Sequence, residues 1–214
     1  MVNDSGPDRE SDDIKSMGLY HHVARASNEV RELGRNDDDP LRADELTAFD
    51  QLHYHGTEAV DEAVRATGIN QRSAVLEVGS GIGGPARHLA STTGAAVTAL
   101  ELQYDHHRIA VDLTARCGLA DRVTHVCGDV LTHRFGDERF DAIVSWLALY
   151  HIPQRGLLLE RFRSLLPKGG FVYVEDLCER DGFDDREREA LSSELFANHL
   201  PGLDLYGREF IEAG

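Results

Sequence analysis

The chain has 214 residues and a formal net charge of −16 at pH 7, with 41% hydrophobic and 28% charged residues. This composition is that of one globular domain with a sizeable core. The acidic balance argues against a nucleic-acid partner, because such binding depends on basic groups that neutralise phosphates. No apolar run approaches the roughly 18 residues of a membrane span. The polar start lacks a secretory or transit signal, so we expect no membrane partner and a cytoplasmic location.

The chain divides into three expected segments. Residues 1–13 are acidic and lack apolar periodicity, which predicts a disordered N-terminus. Residues 14–55 are expected to form a helical cap or lid, with helices over about 14–33 and 41–52. Residues 56–214 form the third segment, which is expected to carry the main domain.

Strands and helices alternate within the third segment. Apolar strands that are covered by intervening helices specify an α/β fold with a doubly wound, mostly parallel sheet and right-handed crossovers. The strands are predicted at 74–78, 96–100, 123–127, 140–145 and 171–175, and the helices at 57–67, 85–91, 105–117, 154–166 and 184–198.

Cysteine and histidine spacing gives no sign of a metal site. The three cysteines, Cys117, Cys127 and Cys178, form no CxxC pair, and their spacing to histidines is not that of a metal site. The pairs His21-His22 and His106-His107 have no convergent carboxylates. We therefore expect reduced thiols and no bound metal.

The most informative segment runs from Val75 to Pro85. An apolar strand carries Glu77 and is followed by Gly79-Ser80-Gly81-Ile82-Gly83-Gly84, which opens onto a helix. Glycines let the backbone approach a ligand closely, and free N–H groups at a helix start bind negative charge. Such loops bind dinucleotides as well as other adenosyl compounds, so the loop alone leaves the ligand open.

Acidic residues at the ends of the next two strands indicate which ligand the loop binds. Glu101 lies 18 residues after Gly83, where doubly wound folds place an acid that holds two ribose hydroxyls. Asp129, in Gly128-Asp129-Val130, could accept from an adenine amine while Val130 packs on the ring. The alternatives are a solvated glutamate and a helix-capping aspartate.

Together these features resemble the class I S-adenosylmethionine-dependent methyltransferases over about residues 56–177. The resemblance also rests on Phe140-Asp141 to His151 and on Leu166-Pro167-Lys168-Gly169-Gly170. It implies a Rossmann-like methyltransferase fold and S-adenosylmethionine as cofactor. It assigns the methionine part to Glu77, Gly79, Ser80, Gly81 and Gly83, the ribose to Glu101, the adenine to Leu102, Asp129 and Val130, and the donor's amino group to Ser145.

Within that class, the glycine loop is most similar to small-molecule N-methyltransferases of the sarcosine/dimethylglycine and phosphoethanolamine type. His151 matches a catalytic histidine of the phosphoethanolamine enzymes, whereas Leu147 stands where those enzymes carry an aspartate. A histidine that titrates near neutrality could remove a proton from the acceptor, or it could simply orient its loop.

Aromatic side chains supply the candidate substrate contacts. Trp146 and Tyr150 flank the loop that carries His151, where a ring face could stabilise a sulfonium or ammonium, or could pack on the sheet. His53, Tyr54 and His55 are expected in a lid, with Tyr54 and His55 as substrate contacts, although such rings also occur as packing before a helix.

The sequence therefore predicts transfer of a methyl group to a small molecule, with an amine nitrogen as the favoured acceptor atom. The alternatives are a catalytically silent methyltransferase-like binding protein and, less favoured, a nicotinamide-dependent oxidoreductase. The two strands that complete the sheet in that family are missing after 206–213, so we expect a shortened form with an exposed edge at Phe171–Val174. Such an edge predicts self-association or lower stability.

Overall fold

The computed structural model describes residues 23–195, 197 and 200–213. The acidic N-terminus and the start of the first predicted helix lie outside the described residues. Helices are α1 (Val23–Glu32), α2 (Ala43–Asp50), α3 (Gly56–Thr67), α4 (Gly84–Thr93), α5 (Tyr104–Arg116), α6 (Arg155–Leu165), α7 (Asp185–Leu195) and α8 (Leu203–Ala213), and strands are β1 (Ala74–Val78), β2 (Ala96–Glu101), β3 (Val123–Cys127), β4 (Ala142–Trp146) and β5 (Phe171–Glu175).

The five strands form one parallel sheet in the order β3-β2-β1-β4-β5. The order reverses beside β1, so the crevice between the carboxyl ends of β1, β2 and β4 is the place where such sheets bind ligands. The predicted bounds of β1, β3 and β5 are confirmed. The fourth strand begins two residues later than predicted and ends at Trp146, and a short 3-10 turn at Leu149–His151 follows it.

Alternating side chains of the strands build a core on each face of the sheet. On one face, Val75 and Val144 pack with Val60 of α3 and Leu89 of α4. On the other face, the strands pack against α6 through a cluster that includes Leu76, Ile143, Leu158 and Phe162. Both faces are covered, which is why these strands are apolar runs in the sequence.

The N-terminal helices form a third cluster that sits over the glycine loop. Val30, Leu46 and Phe49 are buried against Ile82 of the loop and Leu113 of α5. The cap therefore packs directly on the loop that begins α4.

At the outer side of the sheet, β5 pairs only with β4 in the described part of the chain. Phe171 at its start is 49% exposed. The self-association that the sequence predicts through this edge stays a prediction.

Gly84 is where the cap touches the loop most closely. A Cβ atom built on Gly84 would lie 2.1 Å from the Asp50 carbonyl oxygen and 2.7 Å from its carbon. Because both are backbone atoms at the end of α2, neither can rotate away. Glycine at this position is therefore required for packing between the cap and α4.

We expect Gly84→Ala to destabilise the fold by about 1–3 kcal/mol, as overpacking of a tight contact does. Urea unfolding followed by tryptophan fluorescence measures the change. Gly207→Ala is the control, since Gly207 lies in α8 and its Cβ would meet nothing within 4 Å. That substitution should stabilise by about 0.5–1 kcal/mol through helix propensity. Equal effects of the two changes would contradict the packing role of Gly84.

Candidate functional site

A cavity of about 500 Å³ lies at the carboxyl ends of β1, β2, β3 and β4. Because β3 and β4 lie on opposite sides of β1 and β2 in the sheet, the cavity has a β3 end and a β4 end. The β3 end is formed by residues that follow β2 and β3, among them Leu102, Gln103, Asp129 and Val130. The β4 end is formed by Leu52 and His53 of the cap, by Trp146 at the end of β4, and by residues of the segment that follows: Leu147, Ala148, His151, Ile152, Pro153, Gln154 and Leu157. The glycine loop after β1 lies between the two ends.

The glycine loop adopts a conformation that other residues rarely take. Gly79, Gly81 and Gly83 have φ values of +76°, +52° and +82°, in the left-handed region that favours glycine. A Cβ on Gly79 would lie 2.2 Å from the Ala148 Cβ, so the loop approaches the segment after β4 closely. Gly83 packs against Arg87 rather than lining the cavity.

Glu101 holds the loop from the end of β2. One carboxylate oxygen accepts from the Gly81 N–H at 2.8 Å, and the other accepts from the Gln103 N–H at 2.7 Å. Burial raises the pKa of Glu101 to about 7, and the backbone N–H groups of Gln103, Gly81 and Leu102 oppose that shift. A carboxylate has about four acceptor sites, so Glu101 retains capacity for a ligand's hydroxyl groups.

Glu77 brings a second acid to the cavity floor. Its side chain lines the cavity and is almost fully buried, and its Oε2 has no hydrogen-bond partner among the described residues. Burial raises the pKa of Glu77 well above its usual range, against the opposing effect of Arg87. A buried oxygen without a partner is costly, so this position suits a ligand that carries a cationic donor group.

Arg87 and Asp50 form a buried ion pair that joins α4 to the end of α2. The Arg87 Nη2 lies 3.0 Å from the Asp50 Oδ2, and both side chains are at most 1% exposed. Arg87 also donates to the Thr114 hydroxyl at 3.2 Å. Arg87 is therefore a carboxylate-pairing residue that is buried within the fold.

Aromatic rings close the β4 end of the cavity. His53 stacks on Trp146 with ring centroids 5.6 Å apart, and its ring nitrogens face the Tyr54 carbonyl oxygen and the Gln51 Oε1. His151 lines the cavity from the 3-10 turn, with its ring 3.9 Å from that of Tyr150. Burial lowers the pKa of His53.

The structure brings most of the predicted site residues to one cavity. Those that line it are Glu77, Gly79, Ser80, Gly81, Glu101, Leu102, Asp129, Val130, Trp146 and His151. Asp129 also accepts from the Leu131 N–H at 2.8 Å, so the capping alternative applies to it as well.

Five predicted residues do not line the cavity: Gly83, Ser145, Tyr54, His55 and Tyr150. Ser145 is fully buried and donates to the Val78 carbonyl oxygen at 2.8 Å, which ties β4 to β1. Tyr54 is exposed, and His55 begins α3 with a positive φ of 62°. Tyr150 is buried beside His151.

Sequence reasoning missed Asp50, Leu52, Gln103 and Gln154, all of which line the cavity. Asp50 follows the buried Leu46 and Phe49 on the apolar face of α2. An acid on the apolar face of a helix could have indicated a buried ion pair, because a buried carboxylate requires a partner.

Within residues 23–195, 197 and 200–213, no group of His, Cys, Asp and Glu side chains could hold a metal ion. No described helix is long and apolar enough to cross a membrane.

This sheet order, with a glycine loop after β1 and an acid at the end of β2, is that of a Rossmann-like fold. Residues 75–170 match the family model described as a methyltransferase domain. This part of the chain is therefore similar to methyltransferase domains.

Curated relatives match more than half of the chain. A sterol 24-C-methyltransferase of Gibberella zeae is 38% identical over 125 residues, which are 57% of this chain and 33% of the relative. Methyltransferase GfsG of Streptomyces halstedii is 28% identical over 139 residues, 65% of this chain and 50% of the relative. The chain spans a third to a half of the length of these relatives.

Solved structures share the fold. A proposed sarcosine dimethylglycine methyltransferase from Galdieria sulphuraria has a TM-score of 0.69 at 22% identity, covering 90% of this chain and 73% of that chain. The phosphoethanolamine N-methyltransferase 2 of Haemonchus contortus, with phosphomonomethylethanolamine and S-adenosylhomocysteine, has a TM-score of 0.67 at 23% identity, covering 74% and 36%. The [4+2]-cyclase SpnF has a TM-score of 0.66 at 16% identity, covering 82% and 74%. The cyclase shows that this fold alone does not fix a reaction.

The ion pair between cap and loop should dominate the stability of the cap. We expect Asp50→Asn to cost about 3–5 kcal/mol, because it leaves the Arg87 charge buried without its counter-ion. Asp44→Asn on the same helix is the matched control. It breaks an exposed pair with Arg42 and should cost much less, because water screens an exposed pair. Urea unfolding measures both, and similar losses would show that the buried pair contributes no more than the exposed one.

Proposed function

We propose that the protein is an S-adenosylmethionine-dependent methyltransferase that acts on a small molecule. The observation that carries this proposal is the buried Glu77 Oε2, which lines the cavity beside the glycine loop and has no hydrogen-bond partner among the described residues. The ammonium group of a methionine moiety would supply that partner. The methyltransferase-domain match over residues 75–170 supports the same reaction class.

The residues present fit the adenosyl donor. Gly79 and Gly81 bring bare backbone to the cavity wall, Glu101 offers acceptor sites for a ribose diol, and Val130 gives an apolar surface for a base. When bound, S-adenosylmethionine supplies a methyl group on a positively charged sulfur. Glu77 would hold the methionine part and Glu101 the ribose of this donor, and a cationic ligand beside them would favour the ionised form of both carboxyl groups.

The protein's main task in this reaction is to align the acceptor atom. Trp146 and the segment after it form the wall opposite the β3 end and contact the glycine loop, so an acceptor held there would lie beside the loop that would bind the donor. Positioning and exclusion of water can supply much of the acceleration. A protonated acceptor also requires a base, and His151 lines the cavity where it could take that proton.

We further propose an amine nitrogen as the acceptor atom. The carboxylates that line the cavity support an amine, because they would attract its protonated form and hold it near the donor. A second candidate is a catalytically silent protein that binds a partner, and it is supported by the outer edge of β5, which has no paired strand in the described part of the chain. Donor binding without turnover across amine substrates would favour this second candidate.

Glu101 should make donor affinity depend on pH. Its pKa of about 7 in the free protein means that a ligand which binds the ionised carboxylate must displace a proton at lower pH. We expect the ratio of wild-type to Glu101→Gln affinity for S-adenosylhomocysteine to rise about tenfold from pH 6 to pH 8. Titration calorimetry measures both proteins, and taking their ratio cancels the ligand's own titration. A ratio that does not change with pH would rule out binding through the carboxylate.

His151 should affect turnover more than donor affinity. We expect His151→Ala to lower kcat by about 10²–10⁴-fold if the histidine accepts the proton, with little change in S-adenosylhomocysteine affinity. His88→Ala is the control, because His88 lies on α4 beside Asp61, outside the cavity. Equal losses in turnover and donor affinity would identify His151 as a structural residue.

A further inference from the structure

The β4 end of the cavity is chemically different from the rest. Its wall is largely apolar and is built from Leu52, Leu147, Ala148, Ile152, Pro153 and Leu157. Leu52 and Leu157 are 43% and 50% exposed, so the apolar surface continues to the rim. Apolar surface that remains open to a cleft indicates a contact with a ligand.

The cavity lining contains several acidic side chains but no described lysine or arginine. Asp50, Glu77, Glu101 and Asp129 contribute carboxyl groups, and none of the described residues that line the cavity is Lys or Arg. Arg87 lies behind the wall and is held by Asp50. A carboxylate or phosphate held at the β4 end would find no described lysine or arginine in the lining to pair with, and removing an anion from water without such a partner is costly.

Arg155, at the start of α6, does not add a positive charge to the cavity lining. Arg155 directly follows Gln154, which lines the cavity, but Arg155 does not line it. Its Nε donates to the Glu209 carboxylate at 2.8 Å, and its guanidinium lies over the Tyr206 ring at 4.2 Å from the centroid. The positive charge is therefore directed into the interface between α6 and α8.

Leu147 is held in an unusual conformation at this wall. Its φ is +50°, and in the described part of the chain only His55 is another non-glycine residue with a positive φ. This region costs a residue with a Cβ about 1 kcal/mol or more. The Leu147 N–H donates to the Glu175 carbonyl oxygen at 2.8 Å, which fixes the turn, and the residue lines the cavity. Strain of this kind persists at positions with a functional role.

We infer that the β4 end selects an acceptor with an apolar body and no anionic group, and that Leu147 is a specificity-determining residue there. This inference rests on the proposed function and narrows its substrate class. It separates this chain from the Haemonchus contortus enzyme, whose structure contains phosphomonomethylethanolamine, a phosphate ester. The amine that we propose as acceptor would then carry neither a carboxylate nor a phosphate.

The single tryptophan of the chain gives a direct test. Trp146 lines the β4 end, so its fluorescence reports occupancy without requiring turnover. The probes are two matched pairs that differ by a carboxylate: 2-phenylethylamine against phenylalanine, and cyclohexanemethanol against cyclohexanecarboxylate. Each is titrated into the full chain saturated with S-adenosylhomocysteine. We expect the member without the carboxylate to bind at least about tenfold more tightly in each pair.

Variants of Leu147 test the second half of the inference. Asparagine tolerates the left-handed region better than leucine does, so Leu147→Asn should fold while losing the apolar contact. We expect it to weaken cyclohexanemethanol binding by about three- to tenfold. Leu203→Asn is the matched control, since Leu203 is 72% exposed on α8 and lies outside the cavity. If both variants weaken cyclohexanemethanol binding equally, Leu147 does not determine specificity.

The outcomes separate this inference from the proposed function. Equal or tighter binding of the carboxylate-bearing members, or no fluorescence change with any probe, would overturn the inference. If S-adenosylhomocysteine itself gives no calorimetric signal with folded protein, the proposed function fails, whatever the probes do. Donor binding together with a preference for the anionic probes would overturn the inference alone.

Discussion

The cavity depends on the buried ion pair between Arg87 and Asp50. The carboxylate comes from the end of the cap, and the guanidinium comes from the helix that the glycine loop begins. A charge that is removed from water must have a partner, or it costs several kcal/mol. The pair therefore fixes the cap over the loop. It also places Leu52 and His53, which follow Asp50, on the wall of the cavity.

The same arginine lowers the cost of a second buried acid. Glu77 is almost fully buried, and the positive charge of Arg87 opposes the rise in the pKa of Glu77 that burial causes. Glu101 is held differently, because two backbone N–H groups occupy its oxygens. Acids with raised pKa values in a cleft are typical of functional sites. Their burial lowers stability in the free protein, and a cationic ligand would offset part of that cost.

Prediction from the sequence was most successful where local patterns and burial agree. The bounds of β1, β3 and β5 were predicted without error, since buried parallel strands are short apolar runs between glycine or charged turns. Prediction was weaker in the irregular segment before α3. Tyr54 and His55 were expected at the substrate, but it is His53 that lies against Trp146. No periodicity fixes side-chain direction there, and the positive φ of His55 turns the chain away.

The sequence by itself determined the succession of strands and helices along the chain, the glycine loop and the acids at the ends of β1 and β2. These features follow from hydrophobic pattern and from backbone conformations that only glycine adopts readily. Only the tertiary structure decided that Asp50 meets Arg87, that Ser145 ties two strands together and that the β4 end is apolar and free of described basic residues. These contacts join residues far apart in the chain. Their partners are set by how helices pack across the sheet, which local patterns do not encode.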